Sequence, residues 1–209
     1  MKITKKIFLS FVFYAQINLV PNPSFEDTIG GCPNNVSQLY KTKFWFNTNG
    51  STDYFNKCYS GPFDYANIPK NSFGYQNTIL SNCKAYCGIL TYWPFNINTE
   101  TLGIKLTDSL LTGTKYYFSI KISLANTKYA TNNIGALFST KIPSVSAVGS
   151  PPNFSNIKFN QVITDTLNWT SLFGNYLADS NYKYISIGNF YDASLTTTVM
   201  VNSGGTQGA

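Results

Sequence analysis

Hydrophobic and polar side chains alternate along most of this chain with the period of two that β-strands produce. The clearest run is residues 116–124. One face of that run is apolar and the other is polar: Phe118, Ile120, Ile122 and Leu124 against Ser119, Lys121 and Ser123. Similar patterns predict strands at 85–92, 101–106, 133–138, 166–172 and 182–188. The turn Thr112-Gly113-Thr114 predicts a hairpin that joins 109–111 to the strand from Tyr116.

No segment has the periodicity of an amphipathic helix, and the short strands are separated by clusters of Gly, Pro and Asn. This pattern predicts an all-β domain, a two-sheet antiparallel sandwich with the jelly roll as its subtype. Segment 30–70 is predicted to elaborate one end of the sandwich rather than to join its sheets, and 144–160 to be a surface linker. The tail, 202–209, is predicted to be a flexible loop without a strand.

The first residues have the pattern of a secretory signal peptide. Lys2, Lys5 and Lys6 precede a largely apolar run, 7–15, that is shorter than the ~20 residues a membrane helix needs. We therefore expect a signal peptide at 1–16, a single β-sandwich domain at 17–209 and no transmembrane segment after cleavage. An uncleaved anchor or a buried strand is the alternative, because Phe13 is not the small residue of a typical cleavage site.

Composition excludes several classes of function. The chain has no His, which removes Ser-His-Asp and Cys-His mechanisms and zinc bound by imidazole. Every basic residue is Lys, and without the three leader lysines twelve remain against nine acidic residues. The scattered lysines and the missing guanidinium groups argue against nucleic acid as a partner. Only a two-carboxylate glycoside hydrolase survives among the common catalytic classes.

Four cysteines in an exported chain predict disulfides. Cys32 and Cys58 flank a long segment rich in Asn, Gly and Ser, so a bridge between them would restrict a loose loop. Cys83 and Cys87 are predicted to form a second bridge, provided that the chain turns at Cys83. In an extended strand they would lie about 13 Å apart, beyond the ~7 Å that a disulfide tolerates. A four-thiolate metal site is the alternative, although its usual spacing is missing.

Several phrases in order resemble a domain at the start of secreted and outer-surface proteins of gliding bacteria, which is related to the galactose-binding-like jelly rolls of carbohydrate-binding modules. They span most of the chain: 18–26 (NLVPNPSFE), 32–33 (CP), Trp45, 53–58 (DYFNKC), 68–76 (IPKNSFGYQ), 85–88 (AYCG), 106–110 (LTDSL), 123–125 (SLA) and 187–190 (IGNF). The resemblance implies an exported, non-catalytic jelly roll that often precedes a sorting or wall-binding domain of a larger surface protein.

In related binding modules a structural calcium lies between the opening strand and a final strand with acidic residues. The resemblance therefore implies that Glu26 is half of a calcium site. This chain departs from the pattern in stopping inside the Gly-rich loop before that final strand, so either it is a fragment or the closing strand is absent. It also has Cys83 where such domains commonly have a small residue.

Aromatic residues are the candidates for ligand binding, because aromatic rings stack on sugar faces. Trp93 follows Tyr92 at a predicted strand end and is the candidate for an exposed platform, with help from Trp45, Tyr54 and Tyr59. Each of these aromatics has a core position as its alternative, and for Trp169 the core is favoured.

We therefore expect a secreted or cell-surface recognition or adhesion module that binds a neutral or weakly acidic polysaccharide or surface glycan. The alternatives are a structural spacer of a larger surface protein and, more remotely, a carboxylate-based glycoside hydrolase.

Overall fold

A computed structural model of the chain describes residues 17–78, 82–94, 99–143, 151–206 and 208–209. The predicted leader, 1–16, lies outside the described residues. Within them the chain forms strands and two short 3-10 turns, Leu39–Lys41 and Ala193–Leu195. The strands are β1 (Trp45–Asn49), β2 (Asp53–Asn56), β3 (Lys70–Asn71), β4 (Gly74–Tyr75), β5 (Ala85–Gly88), β6 (Thr101–Lys105), β7 (Lys115–Ile122), β8 (Tyr129–Thr131), β9 (Ile134–Ser139), β10 (Ile157–Phe159), β11 (Thr170–Leu177), β12 (Tyr184–Asn189) and β13 (Thr198–Met200).

The largest sheet has five antiparallel strands in the order β1-β6-β12-β9-β10. Its centre is apolar because alternate residues of β6, β9 and β12 point to one face, where Ile104, Ile185 and Ala136 are fully or almost fully buried. These residues belong to the main hydrophobic core.

The opposite layer is a two-stranded ribbon in which β7 pairs with β11 along its whole length. The inner side chains of the ribbon, among them Phe118, Ile120 and Tyr176, pack against the main core. The Tyr176 ring lies 4.8 Å from the ring of Phe138 on the five-stranded sheet. The structure thus confirms an all-β antiparallel sandwich of two layers.

A second, smaller core lies under β2 and β5, which also pair antiparallel. Phe55, Tyr86, Ala66 and Ile68 are buried there, and Trp169 packs against them half-buried. The Tyr86 and Trp169 rings meet edge to face at 5.4 Å. Trp169, for which the sequence favoured a core position, therefore lies only at the margin of this core and precedes β11.

Several predicted elements need correction. Residues 109–111 form no strand, and β7 pairs with β11 instead of a hairpin neighbour. Segment 30–70 contributes β1 to one edge of the main sheet. The predicted surface linker, 144–160, contains β10, which forms the other edge of that sheet. Residues 144–150 of the linker lie outside the described part. The strand predicted at 166–172 begins at Thr170 and continues to Leu177. Alternation identifies an extended segment but not its neighbours, which sequence-distant contacts decide.

The tail is hydrogen-bonded rather than a free loop. The amides of Lys128 and Tyr129 donate to the carbonyls of Thr206 (2.8 Å) and Gly208 (3.2 Å), and the Ala209 amide donates to the Tyr92 carbonyl (2.9 Å). Gly208 and Ala209 are buried as a result. The tail thus lies between the segments around 92 and 128.

The disulfide between Cys32 and Cys58 is confirmed, with their Cα atoms 5.5 Å apart. The predicted bridge between Cys83 and Cys87 is wrong, since both thiols are free. Cys87 lies within β5 and packs against the main core, while Cys83 precedes the strand. The chain between them is extended, and this separates the two sulfur atoms.

Candidate functional site

Two of the five aromatics predicted to bind ligand are buried and bind the opening segment instead. Trp45 is 5% exposed, and its indole N–H donates to the Asn22 carbonyl at 2.9 Å. Tyr54 is fully buried, and its hydroxyl donates to the Phe25 carbonyl at 3.0 Å. Burial raises the pKa of Tyr54 to about 12. Neither ring can meet a ligand at the surface, so we withdraw both from the candidate site.

Tyr59 is half-buried beside the disulfide. Its hydroxyl donates to the Pro62 carbonyl at 2.8 Å, and its ring packs against the second core. The hydrogen bond closes the loop that follows Cys58. Tyr59 therefore holds a loop, and its ring is not a free platform.

Tyr92 and Trp93 are half-buried and line a shallow cleft that is partly open to solvent and has a cavity volume of about 10 Å³. Tyr191, Asp192 and Thr99 also line the cleft. The Trp93 ring packs directly against Gly208, where an added Cβ atom would lie 2.8 Å from the ring. Tyr92 meets the ring of Tyr129 edge to face at 5.9 Å. The cleft is therefore far smaller than most small-molecule sites, which range from about 300 to 1,000 Å³.

Glu26 ties the opening segment to β5. Its Oε1 atom accepts the amides of Lys84 (2.8 Å) and Ala85 (3.2 Å). Among the described residues, no three His, Cys, Asp or Glu side chains cluster as metal ligands would. Calcium takes six to eight oxygen ligands, of which the Glu26 carboxylate would supply only part, and a calcium site at Glu26 stays a prediction.

Asp53 and Glu100 interact electrostatically and are therefore candidates for a carboxylate pair. Glu100 accepts hydrogen bonds from the Ser51 amide and hydroxyl and from the Leu90 amide. Asp53 accepts the Ser37 amide at 2.6 Å. Burial, with a smaller contribution from Glu100, raises the pKa of Asp53 to about 7, against the opposing effect of the Ser37 hydrogen bond. Both carboxylates thus hold loops by accepting backbone amides.

The outer surface of the β7–β11 ribbon carries a group of exposed aromatic and polar residues, which we call the aromatic face. The Tyr117 and Phe173 rings at its centre are 60% and 65% exposed. Their centroids lie 6.3 Å apart and their planes differ by 28°. Around them the face comprises Lys115, Ser119 and Lys121 on β7 and Ser171, Asn175 and Leu177 on β11, all exposed.

Regular strand geometry builds this face. Lys115, Tyr117, Ser119 and Lys121 are alternate residues of β7, so all four point away from the core. Tyr117 lies directly opposite Asn175, and Ser119 opposite Phe173, which places the two rings on a diagonal of the ribbon. The side chains are therefore fixed by strands on both sides rather than by a loop.

Sequence reasoning missed the aromatic face, although half of the signal was present. The alternation of 116–124 already places Tyr117 on the polar side with Ser119 and Lys121. The predicted strand, 166–172, left out Phe173, because Gly174 and Asn175 suggest the end of a strand. In the structure β11 continues through both residues. Their juxtaposition also depends on the pairing of β7 with β11.

Comparison with protein-family models, curated proteins and solved structures finds no match to this chain. Within the described residues no helix is long and apolar enough to cross a bilayer. The Cys32–Cys58 disulfide is typical of proteins that fold in an oxidising compartment. Function is therefore inferred from the geometry of the molecule itself.

Proposed function

We propose that this protein is a non-catalytic, secreted or cell-surface recognition module that binds glycans through the aromatic face. The supporting observation is the pair of exposed rings, Tyr117 and Phe173, held near each other with similar inclination on paired strands. An exposed group of large apolar side chains on one rigid surface is a typical sign of an interaction site.

The chemistry of the face suits a polysaccharide. Aromatic rings stack on the apolar faces of sugars, and an amide both donates and accepts hydrogen bonds as hydroxyl groups require. Asn175 lies opposite Tyr117, and its side-chain amide forms no hydrogen bond with a described residue, so this amide is free to bind. The expected resemblance to the galactose-binding-like jelly rolls of gliding-bacterial surface proteins belongs to the same proposal. This resemblance is the reason for proposing an adhesive role and a place within a larger surface protein.

Two alternative functions, a structural spacer and a glycoside hydrolase, compete with this proposal. A structural spacer would need no exposed rings at fixed positions, so the aromatic face argues for recognition. A glycoside hydrolase would need two carboxylates free to act on the scissile bond, whereas Asp53 and Glu100 accept loop amides. If the ligand bound the Trp93 cleft instead, the same module would use a different surface.

The first prediction tests the site on a glycan array, followed by titration of each hit. We expect Tyr117→Ala and Phe173→Ala each to lower affinity by more than ~1 kcal/mol, or about fivefold, because a few central rings carry most of the energy in such sites. Phe63→Ala removes a ring outside the face that is even more exposed, at 77%, and should leave affinity unchanged.

Trp93→Ala distinguishes the cleft from the face. A loss of binding in that variant alone, with its melting temperature unchanged, would move the site to the cleft. The absence of any glycan ligand would favour the structural spacer. Release of new reducing ends from a bound glycan, abolished by Asp53→Asn, would show that the protein is a hydrolase.

A further inference from the structure

We infer that the glycan bound by the aromatic face is an acidic linear polysaccharide, whose carboxylate or sulfate groups pair with Lys115 and Lys121. This inference rests on the proposed function and narrows its ligand class. The sequence alone favoured a neutral or weakly acidic ligand, because the composition predicts a near-neutral surface rich in Asn and aromatic residues. The structure brings two of them to the ends of one aromatic surface.

The geometry places the two cations on either side of the rings. Lys115 and Lys121 are six residues apart on β7 and share the outward direction with Tyr117 and Ser119. At ~3.3 Å per residue their Cα atoms are separated by about 20 Å. Across the ribbon Lys115 faces Leu177, and Lys121 faces Ser171. An extended chain of several sugars lying along β7 would contact Lys115, Tyr117 and Lys121 in turn.

The charge on this face is uncompensated. Neither β7 nor β11 contains an acidic residue, and the ion pair found among the described residues is Lys70–Asp64, elsewhere in the molecule. Within the described part of the chain, the ammonium groups of Lys115 and Lys121 therefore have no carboxylate within 4 Å. Each lysine can keep its stem on the strand surface while its head reaches an anion.

The acids nearest in sequence to the ribbon hold local structure. Asp179, which follows β11, accepts the hydroxyls of Tyr176 (2.7 Å) and Tyr182 (2.8 Å). Asp165, which precedes β11, accepts the amides of Leu167 (2.8 Å) and Asn168 (2.9 Å). These bonds lower the pKa of both carboxyl groups. The carboxylates of Asp165 and Asp179 lie at the ends of the ribbon. The central part of the face, between Lys115 and Lys121, carries no negative charge.

Other occupants fit this surface less well. A second copy of the face would bring four lysines together without an acid to pair them. Single-stranded nucleic acid also stacks on aromatic rings, but its closely spaced phosphates call for a continuous basic groove. Here two lysines stand apart, and the chain contains no arginine.

The test uses the full chain and pairs of polysaccharides that differ in charge alone. Polygalacturonate, alginate and hyaluronate are each titrated beside their carboxyl-reduced, neutral forms at low and high ionic strength. We expect tighter binding of at least one acidic form than of its neutral partner. The preference should shrink in salt, because exposed charges are screened.

The double variant Lys115→Gln/Lys121→Gln should lose the preference while binding of the neutral form persists through the rings. Each exposed ion pair contributes up to about a factor of five, so the combined loss should be roughly 3- to 20-fold. Lys57→Gln/Lys105→Gln removes the same net charge at two exposed lysines outside the face and should retain the preference.

The outcomes separate this inference from the proposed function. Binding of acidic and neutral forms with equal affinity, lost in Tyr117→Ala, would overturn the acidic ligand and leave glycan binding intact. Equal losses in the two double variants would show a general charge effect and also overturn it. No binding of any glycan, acidic or neutral, would overturn both. Tighter binding of a single-stranded oligonucleotide than of every polysaccharide would reassign the face to nucleic acid.

Discussion

Trp45 and Tyr54 show how large aromatic residues can be mistaken for ligand platforms. Each buries its ring and uses its single polar group to bind a carbonyl of the opening segment, Asn22 for Trp45 and Phe25 for Tyr54. Both Asn22 and Phe25 have positive φ angles, of 46° and 61°, so the segment turns sharply where these bonds are made. The two aromatics hold that turn against the sandwich.

The Tyr54 hydroxyl provides a direct test of this role. In Tyr54→Phe the Phe25 carbonyl and the Asn56 side-chain amide, which donates to the hydroxyl at 2.6 Å, both lose a buried partner. We expect the free energy of unfolding to fall by about 1–3 kcal/mol, the usual cost of unsatisfied buried groups. Urea titration measures it, with Tyr75→Phe, at an exposed position, as the control. Equal stability of both variants would show that the opening segment is held by other contacts.

Asp53 gives the protein a predictable dependence of stability on pH. Its pKa is about 7 in the folded state against 3.8 for a free side chain, mainly because burial disfavours the charge. The folded state therefore binds more protons between these pH values. The contribution of Asp53 to stability is fully present below about pH 4 and is lost as the pH rises to about 7.

Asp53→Asn cannot ionise, but its side-chain oxygen can still accept the Ser37 amide. We expect the variant to gain stability relative to the wild type as the pH rises from about 4 to about 7, with a constant difference above that. Melting temperatures of both proteins across this range measure the difference. Parallel curves would show that folding does not raise the pKa of Asp53.

The strands β2 and β5 explain why the cysteines behave differently. β2 ends at Asn56, so Cys58 lies in the turn that follows this strand. Because strand pairing does not constrain it there, Cys58 can reach Cys32. Cys87 lies inside β5 opposite Tyr54, and burial raises the pKa of its thiol well above the ordinary value. Cys87 is half-buried, and a thiol with a raised pKa reacts slowly, because the thiolate is the reactive form.

The Cys32–Cys58 bridge is expected to be a main source of stability in this part of the molecule. Cys58→Ser should lower the free energy of unfolding by about 2–5 kcal/mol, since the unfolded chain regains the freedom of the closed loop. Cys83→Ser, which changes a free thiol, should have a small effect, and denaturant unfolding compares the two. Similar losses in both variants, or recovery of Cys32 as a free thiol from the oxidised protein, would contradict this assignment.

The ribbon of β7 and β11 has two different faces because its residues alternate so regularly. Inward residues such as Phe118 and Tyr176 complete the main core, while outward residues form the aromatic face. The core side fixes the strands, and the strands fix the outward rings. The proposed ligand site is thus stabilised by the same packing that holds the two layers together.

In the whole molecule, sequence-distant segments complete each layer. The opening segment contacts β1 and β2 through Trp45 and Tyr54, and the tail pairs with residues near Tyr92 and Lys128. Neither segment has strong alternation of its own. Their positions depend on hydrogen bonds to partners that the folded sandwich provides.

The alternation of apolar residues by itself determined the all-β class, most of β6, β7, β9 and β12, and the inward direction of residues such as Phe118 and Ile120. The loose loop between Cys32 and Cys58 favoured a bridge between these two cysteines, and the structure confirms it. These features are local or depend on chain connectivity, so a single sequence contains them. Strand partners, the burial of Trp45 and Tyr54, and the meeting of Tyr117 with Phe173 were decided by the tertiary structure alone. Alternation shows on which face a side chain lies, but only the packed molecule shows whether another layer covers that face.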